Sequence, residues 1–558
     1  MRLVECVPNF SEGRDAAKIA SITKEIETVP GVKLLDVDPG ETTNRTVVTF
    51  IGPPEAAAEA AFRAIRKAAE VIEMSGHKGA HSRIGATDVC PFVPLSGVTM
   101  ADCVELAHRL GERVGRELGI PVYFYEEAAT RPERRNLASI RQGEYEGLAA
   151  KLKDPAWVPD RGPAEFVSKS GATIIGAREF LIAYNINLNT RDKKLASEIA
   201  LNIRESGRVK RDKNGEIVRD ADGAAVKIPG RFPHIKAVGW YIEDYQRAQI
   251  SINFTNYKVT PIPVVFDEVR AQAAAMGLRV TGSELVGLIP KDAILQAGRY
   301  YLERQGRCAG VPEAELIRIA VLSLGLSDVA PFDPQKKIIE FFVEDAGRRL
   351  VRLDLRAFAD ELSMDSPAPG GGSVAAYCGA LSAGLSAMVA SLTVGKKGYE
   401  KAWEELDRAA VKAQELKDAL LVLVDADTAA FNKVMDAVRL PKATEEQTVL
   451  RDAAVEEATR EATRIPFEVL KNCLALAELA SLTARKGNRN SLSDAGVAAL
   501  TARTAAEGAF YNVLINLPGL KDENFKRGIA AEARDLIAEV RRLTSSVNKK
   551  IEKELEPM

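Results

Sequence analysis

The sequence predicts a multidomain protein in which an N-terminal α+β region precedes a C-terminal all-α helical bundle. The chain has 558 residues, and a length of about 150 residues per domain predicts roughly three or four units. Before the linker PFDPQKK (331–337), β-branched strand patterns alternate with helical ones. After it, the segments are long, alanine-rich and helical. We place the domains at residues 1–178, 179–328 and 353–558, with a linker at 329–352.

The N-terminal region contains the same order of elements twice. In the first copy, strands are predicted at 2–8, 32–38, 45–51 and 121–125, and helices at 14–28, 54–74 and 99–118. In the second copy, strands are predicted at 180–188, 237–243, 248–254 and 278–282, and helices at 191–205 and 263–276. The order predicts two ferredoxin-like βαββαβ subdomains, each an antiparallel sheet with helices on one face.

Six helices are predicted for the C-terminal region, at 355–362, 373–394, 398–437, 444–481, 492–515 and 522–554. The second contains a stretch without charge, Val374–Val394, that is long enough to span a bilayer. Its side chains are mostly Ala, Ser and Gly, and no aromatic belt flanks it. We therefore expect a buried helix of a bundle and no membrane span.

Composition and charge exclude several classes of protein. Lys and Arg number 76 against 78 Asp and Glu, so the net charge of -2 provides no basic field for a nucleic-acid partner. The first residues lack the layout of a signal peptide. The six cysteines form no CxxC pair, which fits a reducing compartment and argues against a disulfide framework or a thiolate zinc site. These features predict a cytoplasmic enzyme.

Two of the four histidines lie in the glycine-rich loop SGHKGAHSRIGATDVCPF (75–92). His77 and His81 have the spacing of zinc-binding helices, but the glycines argue against a helix and no third ligand lies nearby in the sequence. We expect no metal site. A loop histidine can titrate near neutral pH and act as a general base, and a structural, hydrogen-bonded histidine is the alternative.

An aspartate interrupts the apolar face of the helix ALLVLVDADTAAFNKVMDAV. Asp427 falls at a core position of that face, whereas Asp425 points elsewhere, about 200° around the helix. Burial of a carboxylate raises its pKa and costs several kcal/mol unless a partner compensates. Asp427 is therefore predicted to be either paired with a buried cation or poised for proton transfer, and the pattern leaves both open.

Three further polar segments are candidates for binding. Asn9, Asp36, Asp38, Asn44 and Arg45 lie at the ends of the first strands, from which they could converge on one groove, although turns also favour Asn and Asp. The glycines of PAPGGGS (367–373) would let backbone amides approach an anion, with Ser373 as N-cap. The insertion 207–231 has DKNG and DADG turns but lacks the closing glutamate of a calcium loop, so a solvated hairpin is expected.

Taken together, these segments resemble the formimidoyltransferase-cyclodeaminase family over nearly the whole chain. In the first half the resemblance rests on LVECVPNFSEGRD, LLDVDPGETTNRTVVTFIGPPE, HKGAHSRIGATDVCPF, GEYEGL, GATIIGAREFLIAYNINL and VGLIP. In the second half it rests on APGGGSVAA, LVDADTAAF, RLPK, SDAGVAAL and GAFYNVLINL. No single motif is specific, but the combination is.

The resemblance implies a bifunctional enzyme of histidine degradation and one-carbon metabolism. Its first half would transfer the formimino group of N-formimino-L-glutamate to tetrahydrofolate, in its polyglutamylated form, and release glutamate. Its second half would cyclise 5-formiminotetrahydrofolate to 5,10-methenyltetrahydrofolate and release ammonia. No metal is implied, and family members assemble as homo-oligomers in which dimers form a ring.

The resemblance also implies which residues act. His81 would be the catalytic base of the transfer, and Asp427 would be the catalytic acid of the cyclisation. Asn9, Asp38 and Arg45 match polar positions near the first site. The folate-binding segment matches Gly162, Pro163, Ala164, Glu165, Phe166, Val167, Ser168, Lys169, Ser170 and Gly171.

Other readings of the same residues stay open. The helical half could be a methenyltetrahydrofolate cyclohydrolase, as in related single-domain proteins. The chain could also be a non-catalytic folate-binding protein in which His81 and Asp427 are structural. A zinc hydrolase built on His77 and His81 is a further alternative, which metal analysis would test.

Overall fold

The computed structural model of the protein describes residues 2–41, 43–79, 81–220, 223–243, 245–342 and 350–556. They form two compact units. The N-terminal unit contains Met1–Pro290, Asp328–Pro331 and Lys336–Ile338, and the C-terminal unit contains Lys291–Ser327, Phe332–Gln335 and Ile339–Met558. Part of the predicted linker, residues 343–349, lies outside the described residues. The predicted succession of an α+β region and a helical region is confirmed.

The first part of the N-terminal unit is built on a sheet of seven described strands. They are β1 (Leu3–Cys6), β2 (Asn9–Phe10), β3 (Lys33–Gly40), β4 (Arg45–Gly52), β5 (Thr87–Ser96), β6 (Val122–Glu126) and β7 (Thr173–Ala177). From one edge, β3 pairs with β4, β4 with β1 and β2, and both of these with β5. These ladders are antiparallel, whereas β7 joins β5 to β6 through parallel ladders.

Helices cover this sheet and enclose its core. They are α1 (Ala16–Glu27), α2 (Pro54–Val71), α3 (Met100–Leu118), α4 (Leu137–Arg141) and α5 (Glu144–Lys151). The side chain of Asp15 caps the first turn of α1, and a Thr99–Asp102 capping box starts α3. Alanines and aliphatic residues of α2 and α3 pack against strand residues such as Phe50 and Phe92, because each strand turns alternate side chains towards the helices.

Strand β5 corrects the sequence prediction. The pattern assigned residues 75–92 to a loop and placed the next strand at 121–125. In the structure, β5 pairs with β1, β2 and β7, and the predicted strand is β6 at the edge of the sheet. The sequence pattern does not predict β5 because the strand contains Pro91 and Pro94. Proline has no N–H to donate to a ladder, and it therefore argues against a central strand. The short strand β7 was likewise missed.

The second part of the N-terminal unit contains β8 (Ile182–Leu188), α6 (Lys193–Ile203), β9 (Arg208–Val209), β10 (Lys227–Ile228), β11 (Ile235–Ile242), β12 (Arg247–Phe254), α7 (Ile262–Ala275) and β13 (Val280–Val286). Four of the strands form an antiparallel sheet in the order β11-β12-β8-β13. Ile186, Ile250 and Ile252 are fully or almost fully buried, whereas Asn185 and Gln249 are hydrogen-bonded polar residues at alternate positions. The sheet therefore has one apolar and one polar face.

The insertion at 207–231 is held by the short antiparallel pair β9 and β10. Between them, Gly215 and Gly223 adopt φ values of +86° and +78°, which glycine reaches without the steric cost that a side chain brings. The described residues of the insertion are mostly exposed, as the predicted solvated hairpin requires. Residues 221 and 222, in the DADG turn, lie outside the described residues.

The C-terminal unit is helical. Its helices are α8 (Lys291–Arg304), α9 (Glu313–Leu324), α10 (Pro334–Lys337), α11 (Leu355–Leu362), α12 (Gly371–Ser391), α13 (Trp403–Val438), α14 (Glu445–Lys486), α15 (Leu492–Asn516) and α16 (Glu523–Leu555). The residues of α10 are divided between the two units. Helix α12 packs against α13, α14 and α15. The predicted helices from 355 onwards are confirmed, with ends that differ by a few residues.

Helix α12 has a core made of small residues. Ala376, Ala383, Ala387 and Ala390 are buried against neighbouring helices, and such side chains let helix backbones approach closely. Among the described residues, α12 is the one helix long and apolar enough to cross a membrane by length and composition. Its most apolar window is 61% buried within the structure, as in the core helix of a bundle.

Candidate active sites

Asp88 on β5 is fully buried and binds two arginines through one carboxylate oxygen. Nη1 of Arg45 and Nη2 of Arg141 each lie 2.5 Å from Oδ2, and Oδ1 accepts the backbone N–H of Ile84 at 3.1 Å. Burial raises the pKa of Asp88, but the charges of the two arginines outweigh it and hold the pKa below its ordinary value. Arg45 also donates from Nε and Nη2 to Oδ1 of Asn9, which fixes that amide.

His81 lies beside this cluster in a defined tautomer. Its Nδ1 is 2.7 Å from the carbonyl oxygen of Ser82. A carbonyl only accepts, so Nδ1 carries the proton and Nε2 keeps a free lone pair. Burial lowers the pKa of His81, and the positive charges of Arg45 and Arg141 lower it further. The imidazole is therefore neutral at physiological pH and can accept a proton at Nε2.

Hydrogen bonds hold both ends of the loop that carries His81. At one end, Nε2 of His77 donates to the carbonyl oxygen of Asn44 at 2.9 Å, and its Nδ1 accepts from Nε of Arg83 at 3.1 Å. At the other, the buried Arg83 binds Glu144 and, in two bonds, Glu146. Both ring nitrogens of His77 are thus engaged, which makes this histidine structural. The motif GEYEGL acquires a physical role, because its two glutamates hold the loop.

Five residues proposed from the sequence line one cavity of about 420 Å3: Asn9, Asp36, Asp38, Arg45 and His81. Arg141 and Arg178 line it too, as do Ala183, Asn253 and Val286 of the second sheet, so the cavity lies between the two sheets of the N-terminal unit. Burial and the negative charge of Asp38 raise the pKa of Asp36. Carboxylates and guanidinium groups therefore share one cavity, which suits a ligand that carries both signs of charge.

An open cleft of about 740 Å3 also reaches His81. It is lined by α4, by the Gln142–Glu144 turn and by Lys236 on β11. Leu137 and Arg141 line this cleft and the 420 Å3 cavity alike, so α4 stands between them. A ligand in the cleft would therefore approach the same histidine from the outer side.

The segment 162–171 is placed next to the His81 loop but lines neither of these two spaces. Its glycines hold its ends: Gly162 packs against Gly115 of α3, and Gly171 packs against Ile84 and Gly85. Both have positive φ, +78° and +66°. Between them most side chains are exposed. The ring centroids of Phe166 and Tyr145 are 5.4 Å apart. The segment is a surface flap beside the site.

Sequence reasoning missed Asp88 and Arg141. Asp88 is an acid among apolar residues in TDVCPFVPLS, the same kind of signal that singled out Asp427 in its helix. The sequence pattern predicts a loop for this segment, and an acid in a loop is common and carries no signal. Arg141 has no signal of its own, since it is one of several arginines between 131 and 141.

In the C-terminal unit, Asp427 of α13 meets the start of α12. Its Oδ2 accepts a hydrogen bond from Oγ of Ser373 at 3.2 Å, and its carboxylate packs against Gly372. Burial raises the pKa of Asp427, while the hydroxyl and backbone N–H of Ser373 oppose that rise. Two motifs of the sequence, APGGGS and LVDAD, thus form one site. No cation of the described residues pairs with Asp427.

The predicted core position of Asp427 needs correction. Leu420 and Val424 of the same face are buried, but Asp427 is half-buried and Val438 is exposed. The apolar face continues beyond the part of the bundle that covers it. Ser373 is not the N-cap, because Gly370 occupies that position. The single hydroxyl proton of Ser373 is shared between the carbonyl oxygen of Val424 at 2.9 Å and Oδ2 of Asp427 at 3.2 Å.

Asp425 has a different environment from Asp427. Its carboxylate accepts the backbone N–H of Leu350 at 2.7 Å and that of Val351 at 3.5 Å. It therefore holds the segment that precedes α11, as expected for a side chain on another face of the helix. The two acids of LVDAD differ in kind: one supports the backbone, and the other lies against the glycine-rich turn.

Three known families match consecutive parts of the chain. Residues 3–178 match the formiminotransferase domain, N-terminal subdomain. Residues 183–344 match the formiminotransferase domain, and residues 354–535 match formiminotransferase-cyclodeaminase.

Individual relatives cover the whole chain or part of it. Formimidoyltransferase-cyclodeaminase of Mus musculus is 43% identical over 542 residues, 97% of this chain and 97% of that protein. Glutamate formimidoyltransferase of Thermoplasma acidophilum is 45% identical over 308 residues, 55% of this chain and 94% of that protein. Methenyltetrahydrofolate cyclohydrolase of Methylorubrum extorquens is 38% identical over 193 residues, 35% of this chain and 93% of that protein. The chain therefore belongs to the formimidoyltransferase-cyclodeaminase family.

Proposed function

We propose that the protein is a bifunctional folate enzyme. It transfers the formimino group from N-formimino-L-glutamate to tetrahydrofolate, and then cyclises 5-formiminotetrahydrofolate to 5,10-methenyltetrahydrofolate with release of ammonia. The observation that carries this proposal is similarity along 97% of the chain to a formimidoyltransferase-cyclodeaminase. A free-standing glutamate formimidoyltransferase at 45% identity supports the first activity independently. We also propose that it acts in histidine degradation and one-carbon metabolism, as a cytoplasmic protein with transferase and lyase activities.

In the transfer, His81 is the catalytic base. The 5-nitrogen of tetrahydrofolate attacks the formimino carbon and gives a tetrahedral intermediate, and its proton passes to Nε2 of His81. The carbon–nitrogen bond to glutamate then breaks as the same proton passes to the departing glutamate nitrogen. The neutral imidazole, set by burial and by Arg45, is the form that this first step needs. Asn9, Asp38 and Arg45 bind substrate in the shared cavity.

In the cyclisation, Asp427 shuttles one proton. The 10-nitrogen attacks the formimino carbon and loses its proton to the Asp427 carboxylate. The carboxylic acid then returns the proton to the terminal nitrogen, and ammonia leaves as the 5,10-methenyl bridge forms. A pKa raised by burial makes the carboxylate a better base than an exposed aspartate, which supports this role. No step requires a metal.

The chain is proposed to contain two ferredoxin-like subdomains, residues 1–178 and 179–328, and a cyclodeaminase domain, residues 353–558, after a linker at 329–352. The strand order β11-β12-β8-β13 of the second sheet supports this assignment, as does the order β3-β4-β1-β5 within the first. Strands β7 and β6 extend the first sheet beyond the βαββαβ unit.

The flap Gly162–Gly171 is proposed to bind folate, with Pro163, Ala164, Glu165, Phe166, Val167, Ser168, Lys169 and Ser170 between its two glycines. Its exposed Phe166 and Lys169 support this role, since an aromatic ring can stack on a pterin or benzoyl ring and a lysine can hold a carboxylate. A polyglutamylated tail would add anionic groups for such a cation.

We further propose a homo-oligomer in which dimers assemble into a ring. Leu381 and Met388 of α12 are 44% and 38% exposed, and Leu500 and Ile515 of the neighbouring α15 are also exposed. Apolar rows on adjacent helices are typical of subunit contacts. Light scattering of the wild type and of Leu381→Glu measures the mass: a ring gives several subunits, and the variant is expected to give fewer.

A paired assay tests the two activities. Purified protein is given tetrahydrofolate and N-formimino-L-glutamate, and methenyl absorbance and free ammonia are followed for the wild type, His81→Ala and Asp427→Asn. The wild type is expected to make both products, Asp427→Asn to stop at the 5-formimino adduct, and His81→Ala to release ammonia only when that adduct is supplied. A wild type that forms no adduct would refute the transferase proposal.

The similarity to a methenyltetrahydrofolate cyclohydrolase favours a second candidate for the helical region, hydrolysis of 5,10-methenyltetrahydrofolate. The two candidate reactions differ in whether ammonia is released. A cyclodeaminase yields one ammonia for each methenyl group formed, whereas a cyclohydrolase consumes added methenyltetrahydrofolate and yields no ammonia. Loss of methenyl absorbance without ammonia would favour the second candidate.

A further inference from the structure

Arg141 is held rigidly at the wall of the His81 site. It is the last residue of α4, whose first turn is capped by the side chain of Asn136. Ile140 is fully buried, and its carbonyl accepts Nζ of Lys151 at 2.6 Å. These contacts fix the backbone from which the guanidinium group projects, so that little freedom is lost when it binds a ligand.

The charges around Asp88 do not cancel. One buried carboxylate faces two guanidinium groups, and the second carboxylate oxygen is used by the backbone of Ile84. The pair of arginines and Asp88 therefore carry a net single positive charge beside His81. Glu5, Asp36 and Asp38 line the same cavity, so the excess is local to the Asp88 cluster, and it is there that an anion is favoured.

The donors of the two arginines are used unequally. Arg45 directs Nε, Nη1 and Nη2 to Asn9 and Asp88. Arg141 binds Asp88 through Nη2, and its Nε is buried without a hydrogen-bond partner among the described residues. Its side chain lines both the 420 Å3 cavity and the open cleft, and His81 lines both as well. The buried Nε is closed off from that space, but the Arg141 side chain as a whole is 14% exposed, so the rest of its guanidinium group can meet a ligand beside His81.

We propose that Arg141 is the specificity-determining residue that binds a carboxylate of the glutamyl part of the formimino donor. The planar guanidinium group matches a carboxylate in shape and charge, and the anion would complete the unbalanced Asp88 cluster. Arg45, which lines the same cavity, already donates from Nε, Nη1 and Nη2, whereas Arg141 donates to the described residues from Nη2 alone and has more of its guanidinium group left for the donor's carboxylate. This inference rests on the proposed transferase activity and names the group that recognises its donor.

A purely structural Arg141 would serve only to neutralise Asp88, and the two roles predict different kinetics. A structural residue affects both substrates and the turnover alike when it is replaced. A residue that binds the donor's carboxylate affects the KM for the donor and the inhibition by the product L-glutamate, and leaves the KM for tetrahydrofolate largely unchanged.

The test uses the full-length chain as Arg141→Gln and Arg141→Lys, with Arg109→Gln as matched control. Arg109 binds Glu55 on the surface and lines none of the spaces described above. Loss of hydrogen bonds to a charged group predicts a KM for N-formimino-L-glutamate raised by about 10- to 100-fold in Arg141→Gln. The inhibition constant of L-glutamate should rise in parallel, Arg141→Lys should lie between, and Arg109→Gln should match the wild type.

The second activity of the same chain reports on folding. Ammonia release from supplied 5-formiminotetrahydrofolate should be equal in all four proteins. An unchanged donor KM in Arg141→Gln, or equal losses for both substrates, would overturn the inference. If that variant misfolds, the wild type is tested with N-methylformamidine, a formimino donor without a carboxylate. The wild type should prefer N-formimino-L-glutamate by about tenfold or more, and a lack of preference would refute a carboxylate-binding Arg141. A wild type without transfer activity would instead refute the proposed function.

Discussion

Gly372 and Asp427 are in direct contact: a Cβ atom on Gly372 would overlap the carboxylate of Asp427. The contact joins the first turn of α12 to the middle of α13. It places the carboxylate among the amides of a helix N-terminus, where the helix dipole favours a negative charge, and beside the hydroxyl of Ser373. Position 372 thus requires glycine because a Cβ atom would overlap the Asp427 carboxylate, and not because of its backbone conformation.

Gly372→Ala should therefore displace the Asp427 carboxylate and abolish most ammonia release, while formimino transfer in the other unit continues. Gly528→Ala is the matched control, because a Cβ on that helical glycine of α16 meets nothing within 4 Å. Ammonia and the 5-formimino adduct are measured in the same assay. Normal ammonia release from Gly372→Ala would show that the contact with Asp427 is dispensable.

The two acids of LVDAD should respond differently to amidation. Asp427→Asn should slow ammonia release by about 100-fold or more, as expected for the loss of a general base, without lowering the thermal midpoint. The reason is that burial already raises the pKa of Asp427 and disfavours its charge. Asp425→Asn should lower the midpoint and spare turnover, because its charge is bound by two backbone N–H groups. If Asp425→Asn slowed ammonia release and Asp427→Asn lowered the thermal midpoint, Asp425 would be the catalytic acid and Asp427 the structural one.

The pH dependence of transfer should follow His81. Burial and the charges of Arg45 and Arg141 lower its pKa below 6.5, so the neutral base persists to lower pH than for a free histidine. The acid limb of kcat/KM should thus lie below pH 6.5. Arg45→Gln removes one positive charge and leaves Asp88, which favours protonation, so the limb should move to higher pH. If the acid limb of kcat/KM does not move in Arg45→Gln, the limb reports the titration of a group other than His81.

Arg83 is predicted to control both the stability and the activity of the N-terminal unit. Arg83→Ala leaves His77 and Glu146 without their partner and should lower the free energy of unfolding by about 1–3 kcal/mol. It should also slow transfer, because the loop that carries His81 loses one attachment. Arg63→Ala, which removes a half-exposed pair with Glu59 on α2, should cost about 0.5 kcal/mol or less. Denaturant titration and the transfer assay measure both effects; equal losses in the two variants would contradict the prediction.

Local patterns in the sequence determined most of the secondary structure. Helix 355–362 has the predicted bounds, and the long helices from α12 to α16 lie where their periodicity places them. The same periodicity singles out Asp427 as an acid on an apolar helix face. These features depend on residues within one or two turns of the chain, and such neighbours repeat at 3.6 residues whatever the rest of the fold does.

The tertiary structure decided what the candidate sites contain. Arg141 reaches Asp88 across 53 positions, and Ser373 reaches Asp427 across 54. Strand β5 forms despite Pro91 and Pro94, because β1, β2 and β7 offer ladders on both of its sides. Contacts of this separation follow from how strands and helices pack, and no local pattern encodes them. The sequence by itself determined most of the elements and singled out two candidate reactive side chains, His81 and Asp427, and packing determined which charges surround them.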